Sequence, residues 1–147
     1  MTGDRSHAIV PFTLAERADA LAELDLFEGL THDELVQIAA RAHVLAFAHG
    51  DVIVPQGEAG LGFYVIESGT ADVERDGATV ASLQRGDFFG EVSLLEWEPR
   101  NATVRATSDV RCIGILRSFF KGMLESYPRV AMRVLEQERG RRTVEPD

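Results

Sequence analysis

The sequence predicts a mainly β domain, a jelly roll or related β-barrel, with a helical segment before it and two helices after it. Three observations carry this. Between residues 43 and 116 the apolar and β-branched residues fall in short runs of period two, and Gly-containing turns separate the runs at regular intervals. Ahead of them stand two Thr-x-x-Glu sequences, Thr13 to Glu16 and Thr31 to Glu34, each opening a stretch of helical periodicity. Behind them, from Ser118 onward, the apolar residues return to helical spacing.

Taken in order, residues 1–11 show no period and are expected to be a flexible N-terminus, leaving one domain over 12–139 and a tail over 140–147. Thr13 is expected to cap a first helix carrying Leu14, Ala18, Leu21 and Ala22 on one side. Leu26-Phe27-Glu28-Gly29-Leu30 reads as an apolar turn, after which Thr31 caps a second helix with Leu35, Ile38 and Ala39 inward. Strands are expected over 43–48, 52–55, 63–67, 70–75 and 79–83, broken by His49-Gly50-Asp51, by residues 57–62, by Ser68-Gly69 and by Asp76-Gly77. Two further strands, 101–107 and 110–116, follow the segment 88–100, and the second places Cys112 as a buried strand residue. Ser118 is the expected cap of a helix bearing Phe119, Phe120, Met123 and Leu124, which ends near Tyr127-Pro128; a last helix runs from about Pro128 to Glu138.

Composition narrows the functional classes. The 147 residues suit a single domain, and 45% hydrophobic content is enough for a core. With 15 basic against 24 acidic residues the net charge of -9 opposes a DNA backbone, which a partner must largely neutralise. No apolar run approaches a membrane span, and the N-terminus lacks the basic-then-apolar layout of a secretion signal, so a cytoplasmic location is expected. Cys112 is the sole cysteine, which leaves no internal disulfide and no cysteine pair at zinc spacing.

The chemistry concentrates in residues 88–104. Gly90 removes the Cβ that would hold a ligand off the backbone, and residues 91–97 can make about two helical turns before Pro99 stops them. A short helix with a glycine entrance offers unpaired N–H groups and the positive end of the peptide dipoles, which suits an anion. Here the backbone N–H of Ser93 matters more than its hydroxyl. Arg100 adds a planar cation fitted to bidentate phosphate binding, brought back by the turn at Pro99. Glu91 would repel phosphate unless it binds something else, and a ribose hydroxyl satisfies it. Phosphate with a free ribose hydroxyl indicates a nucleotide.

Residues 89–104 read F-G-E-V-S-L-L-E-W-E-P-R-N-A-T-V. They resemble, position by position, the phosphate-binding cassette of the cyclic nucleotide-binding domains of catabolite activators, cyclic-nucleotide-dependent kinases and gated channels, F-G-E-x-[AS]-L-L-x-x-x-P-R-x-A-T-V. The resemblance extends from about Leu26 to Leu135. It implies a jelly roll with an N-terminal helical segment, cyclic AMP or cyclic GMP as ligand, and no cofactor. It also implies a phosphate site at Arg100, Ser93, Asn101 and Ala102 and a ribose site at Gly90 and Glu91. In the family the last two helices hinge on binding and the final one closes over the base, which makes Met132, Val134 and Leu135 the candidate lid.

Two departures stand out. Leu61 occupies a position where the family often has an aspartate that orients the phosphate arginine. Asn101 replaces a small or hydroxyl residue, and its amide could reach a phosphate oxygen or a purine edge. Trp97 and Glu98 read as the exposed lip of the cassette, with packing of Trp97 on the barrel as the alternative.

An enzymatic reading finds little footing. Of the metal ligands a cupin needs, the barrel region supplies only His43 and His49, flanking one strand, and no nucleophile elbow surrounds Ser93. Residues 140–147 cannot hold a helix-turn-helix, and Arg139-Gly140-Arg141-Arg142 reads as a short solvated basic tail. The expectation is a cyclic nucleotide sensor acting on an effector protein or domain, with a second copy of the chain as another candidate partner. The competing expectation keeps the fold but drops the ligand: a degenerate domain serving as a protein-interaction platform.

Overall fold

In the computed structural model, residues 7–57, 62–90 and 102–144 are described. Both Thr-x-x-Glu sequences form reciprocal caps. Glu16 N–H donates to Thr13 Oγ1 (3.1 Å) while Thr13 N–H donates to Glu16 Oε1 (2.8 Å), opening helix α1 (Leu14–Ala22). Thr31 and Glu34 repeat the exchange at 2.8 and 3.2 Å to open α2 (His32–Ala39), and a 3-10 turn (Asp25–Phe27) lies between the two helices. Each box satisfies two backbone donors that a helix start would otherwise leave orphaned.

Among the described residues, nine strands form two antiparallel sheets, the roll that the alternation predicts. The first runs, in spatial order, β1 (His7–Val10), β2 (Ala42–Phe47), β9 (Val110–Leu116), β4 (Gly62–Ser68) and β7 (Phe88–Phe89). The second runs β3 (Val52–Val54), β8 (Thr103–Ala106), β5 (Ala71–Arg75) and β6 (Ala78–Leu83). Strands β5 and β6 are joined by Asp76-Gly77, with φ of 53° and 85°. Two successive positive φ values are what a two-residue primed turn requires, and Asp and Gly are among the residues that tolerate them.

Because successive strand residues face opposite ways, the five-stranded sheet serves two cores. Its inner side, with Phe47, Ile66, Phe89 and Cys112, packs against Ile53, Val54, Ala71, Leu83, Val104 and Ala106 between the sheets. Its outer side, with Val44, Phe63, Val65, Phe88, Ile113 and Ile115, is covered by helical residues that include Leu21, Ile38, Phe120 and Met123. The outer core holds an aromatic row: the rings of Phe88 and Phe63 are 5.4 Å apart, and those of Phe63 and Phe120 stack at 4.6 Å.

The C-terminal helices α3 (Arg117–Ser126) and α4 (Pro128–Val144) complete the outer layer. Tyr127 lies between them, and its hydroxyl donates to Gln37 Oε1 (3.2 Å). Helix α4 packs on α3 and on the 3-10 turn, with Val130 and Val134 buried. Arg133 Nη1 donates to the carbonyls of Leu26 (3.0 Å) and Glu28 (2.7 Å), and the Arg129 guanidinium sits against Gly29, whose φ of 91° suits glycine.

Three expectations need correction. The N-terminus is not loose throughout: His7–Val10 pairs with β2 from His7 opposite Phe47 to Val10 opposite Val44. Ser118 is not the cap of α3; Leu116, in extended backbone, precedes a helix that starts at Arg117 without a side-chain cap. Nor does the last helix stop near Glu138, since it continues to Val144 through part of the expected tail; from Glu136 to Arg142 all residues but Gly140 are Glu, Gln or Arg, which favour helix.

Candidate functional site

The segment 91–101 leaves one sheet and rejoins the other. The chain leaves after β7, an edge strand of the five-stranded sheet, and returns at β8, inside the four-stranded sheet, so this segment links the two sheets in sequence. Glu91, Ser93, Trp97, Arg100 and Asn101 lie outside the described residues, as does Leu61. Of the cassette, Phe89–Gly90 and Ala102–Val104 are described and flank that segment.

The departure point is built from aromatic packing and glycine. Phe89 pairs with Tyr64 in the ladder, and their rings stack at 5.3 Å with planes 22° apart. The Tyr64 ring occupies the room left by two glycines: a Cβ on Gly62 would stand 3.2 Å from its Cζ and Oη, and one on Gly114 would stand 3.4 Å from its Cε1. Immediately beyond Phe89, Gly90 takes a φ of 99°, a backbone shape that side-chain-bearing residues rarely adopt. The chain is thus free to turn from β7 into the cassette with its backbone bare.

The return point is pinned by side chains. Ala102 is 8% exposed, and Thr103 starts β8. The β3–β8 ladder shifts between Val52 and Val54, and beyond it the Gln56 N–H donates to the Thr103 hydroxyl (2.9 Å) rather than to a carbonyl. The Gln56 amide in turn grips the β5–β6 tip, its Nε2 donating to Asp76 Oδ1 and its Oε1 accepting from Asp76 N–H, both at 3.0 Å. Gln56 was not singled out by the sequence, because its partners stand 20 and 47 positions away and follow no period.

Several other arginines are engaged elsewhere. Arg105 contacts Glu74 (3.2 Å) and the Gly50 carbonyl (3.1 Å), Arg111 contacts Glu67 (2.9 Å), Arg85 contacts Glu23 (2.8 Å) and Arg17 donates to the Ala39 and Phe12 carbonyls (2.9 and 2.7 Å). Arg41 and Arg111 also lie over the rings of Phe119 and Phe12, each 5.5 Å from the centroid. A concavity of about 650 Å³ bordered by Ala8, Ala46, Ser68, Asp109 and Arg111 lies beside Ser68, which closes β4, whereas Phe89 pairs with Tyr64 near Gly62, which opens it. It is not where the cassette attaches.

The lid candidates separate by side. Met132 is 61% exposed and Leu135 46% exposed, whereas Val134 is fully buried in the outer core. His43 and His49 are both exposed, the latter donating its N–H to Asp109 Oδ1 (3.2 Å); no three His, Cys, Asp or Glu side chains among the described residues are arranged to hold a metal. Cys112 is buried between the sheets, and burial pushes its thiol pKa up to about 12. Tyr127 is also shifted upward, first by burial and then by the charge of Glu34. Among the described residues, no helix is long and apolar enough to cross a membrane.

Comparison with known proteins bears on the same region. A family model described as "Cyclic nucleotide-binding domain" matches residues 44–127. A cAMP-dependent protein kinase regulatory subunit of Hypocrea atroviridis is 39% identical over 104 residues, covering 71% of this chain and 22% of that protein. A cGMP-dependent protein kinase of Toxoplasma gondii is 36% identical over 119 residues, covering 81% of this chain and 12% of that one. The chain therefore spans well under a third of the length of these relatives.

Among solved structures, the regulatory domain of Toxoplasma gondii PKA with cAMP superposes with a TM-score of 0.75 at 27% identity, covering 86% of this chain and 50% of that one. The regulatory subunit of a cAMP-independent protein kinase A from Trypanosoma brucei gives 0.74 at 26% identity, covering 85% and 46%.

Proposed function

The chain belongs to the cyclic nucleotide-binding domain family, and from that premise we propose that it is a regulatory module that binds a cyclic nucleotide, cyclic AMP before cyclic GMP, and signals through α3 and α4. The observation that carries this reading is the family match over residues 44–127, which encloses the whole cassette together with the Phe89–Gly90 departure and the Ala102–Thr103 return.

Each step follows from the residues. Gly90 lets the ligand approach the backbone, and Glu91 accepts a hydrogen bond from the ribose hydroxyl. The backbone N–H groups around Ser93 and Ala102 meet the phosphate, Arg100 neutralises it in bidentate fashion, and the Asn101 amide reaches a phosphate oxygen or the purine edge. Met132 and Leu135 are the apolar residues of α4 available to cover the base, with Val134 fixing that helix to the core in the arrangement described. The module performs no bond chemistry: binding energy is converted into a shift of the helix arrangement. Its partner is an effector protein or domain, of which a kinase catalytic chain is the one the regulatory-subunit relatives favour. A cytoplasmic location fits this role.

The deciding experiment is a calorimetric titration with cyclic AMP and with cyclic GMP, run on the native chain and on Arg100→Ala. Charge-assisted hydrogen bonds contribute about 1.5–3 kcal/mol each, so loss of a bidentate pair should weaken binding on the order of a hundredfold without unfolding the roll. Equal dissociation constants for the two proteins would remove Arg100 from the site. A second reading, a domain that keeps the fold without the ligand, is favoured by Leu61 and by the likeness to the cAMP-independent trypanosome regulatory subunit. No heat with either nucleotide would establish that reading instead.

A further inference from the structure

The hydrogen bonds at the cassette's return point form a connected set. The Gln56 side chain exchanges two bonds with Asp76, using its amide as donor and acceptor together, while its backbone N–H holds the Thr103 hydroxyl. Asp76 sits on the two-residue hairpin tip with φ of 53°, and Thr103 follows Ala102, the last residue of the phosphate set. Three separate stretches, the end of β3, the β5–β6 tip and the start of β8, therefore meet at one glutamine.

We infer that Gln56 is a positioning residue for the nucleotide site: it clasps the start of β8 to the rim of the roll and so fixes Ala102, which precedes Thr103 in the chain and belongs to the phosphate set. The inference rests on the nucleotide-binding reading and adds a residue that touches no ligand. The amide donates to Asp76 Oδ1 and accepts from Asp76 N–H at once, which a carboxylate of the same length cannot do. A carboxylate keeps the acceptor but sets two negative charges against each other. Both partners are exposed, so the clasp tunes affinity rather than deciding whether the domain folds.

The test is a charge-and-donor cycle: Gln56→Glu, Asp76→Asn, the double variant, and separately Thr103→Val, which removes the acceptor for the Gln56 N–H while keeping the branched shape. Cyclic AMP affinity and the exchange rates of the amide hydrogens at Gln56 and Asp76 are measured for each. Gln56→Glu should bind about three- to tenfold more weakly, the loss of a hydrogen bond and its replacement by repulsion. Asp76→Asn should stay within about twofold of the native chain, since an asparagine still accepts from Gln56 and tolerates positive φ. The double variant restores a donor opposite the carboxylate and should recover most of the affinity. Thr103→Val should speed exchange at the Gln56 amide and weaken binding to a similar degree.

Native affinity in Gln56→Glu, or a double variant no better than Gln56→Glu, would overturn the inference. A purely structural defect would not be reversed by adding a second substitution. Should the native chain bind neither nucleotide, the proposed function falls by that result alone. Amide exchange then judges the clasp separately, with equal rates across the cycle overturning it and faster rates in Gln56→Glu and Thr103→Val upholding it.

Discussion

Arg133 ties the last helix to the N-terminal segment, and removing its guanidinium should show how firmly α4 is held. One nitrogen, Nη1, donates to the Leu26 carbonyl at 3.0 Å and to the Glu28 carbonyl at 2.7 Å, bracketing the end of the 3-10 turn where carbonyls lack partners inside the turn. Hydrogen bonds from a charged donor contribute about 1.5–3 kcal/mol when shielded, and here the Leu26 bond is partly buried while the Glu28 bond is exposed. Discounting the exposed one by half gives about 2–4 kcal/mol for the pair. Arg133→Met keeps the aliphatic stem packed and deletes only the donors.

Urea unfolding followed by far-ultraviolet circular dichroism should report that loss, with the thermal midpoint falling by about 3 °C for each kcal/mol. Amide exchange along α4 should accelerate while that of β4 and β9 stays slow. An unchanged urea midpoint, with unchanged slope and unchanged α4 protection, would refute the reasoning: the burial of Val130 and Val134 would then hold the helix by itself.

Three other outcomes follow from the same residues. Unfolded thiols ionise near 9 but Cys112 in the fold not until about 12, so between these values the unfolded chain binds fewer protons and stability must fall as pH rises, by about 1.4 kcal/mol per pH unit; Tyr127 adds a loss of the same sign at its own higher range. Urea titrations at stepped alkaline pH should show the Cys112 part of that slope vanish in Cys112→Ala, and an identical slope in the variant would contradict the assignment. Glu91→Gln should reduce the preference for a ribose over a 2′-deoxyribose nucleotide in competition binding, and an unaltered preference would take Glu91 out of the ribose role. Met132→Ser combined with Leu135→Ser should weaken nucleotide binding severalfold with little change in stability, whereas Val134→Ala should cost about 2 kcal/mol of stability; full affinity in the double serine variant would remove α4 as the lid.

What the sequence could reveal depended on how far apart the interacting residues stand. Thr13 with Glu16 and Thr31 with Glu34 cap from three positions away, so both helix starts were legible in the order of letters. Strands β2, β4 and β9 were equally legible as short apolar runs, because a sheet buried on both sides takes apolar residues of both parities. The strand His7–Val10 was not, since four residues define no period and their partner lies more than thirty positions on. Ser118 had the composition of a cap but not the place, because β9 runs into α3 and the burial of Phe120 and Met123 sets where the helix begins. In the site, the cassette could be read as a contiguous motif. The sides of α4 could not, for apolar identity alone does not say that Val134 faces the core while Met132 and Leu135 face out. Gln56 carried no signal, since its meaning arises only when β3, the hairpin tip and β8 are brought together.

Strand β7 has two residues and they point in opposite directions. Phe89 stacks on Tyr64 at the cassette side, while Phe88 leans on Phe63, which stacks on Phe120 of α3. A long strand would be clamped by many rungs; this one pairs with β4 at Tyr64 opposite Phe89 and Val65 opposite Phe88, and the Gly86–Asp87 turn before it exchanges two backbone bonds with Ile66 (2.9 and 2.8 Å). A roll of this short strand about its axis would displace one ring against Tyr64 and the other against the row that ends on α3, so replacing Phe88 or Phe63 by a supple side chain of similar volume should leave the sheets standing and loosen the coupling between the Gly90 side and α3.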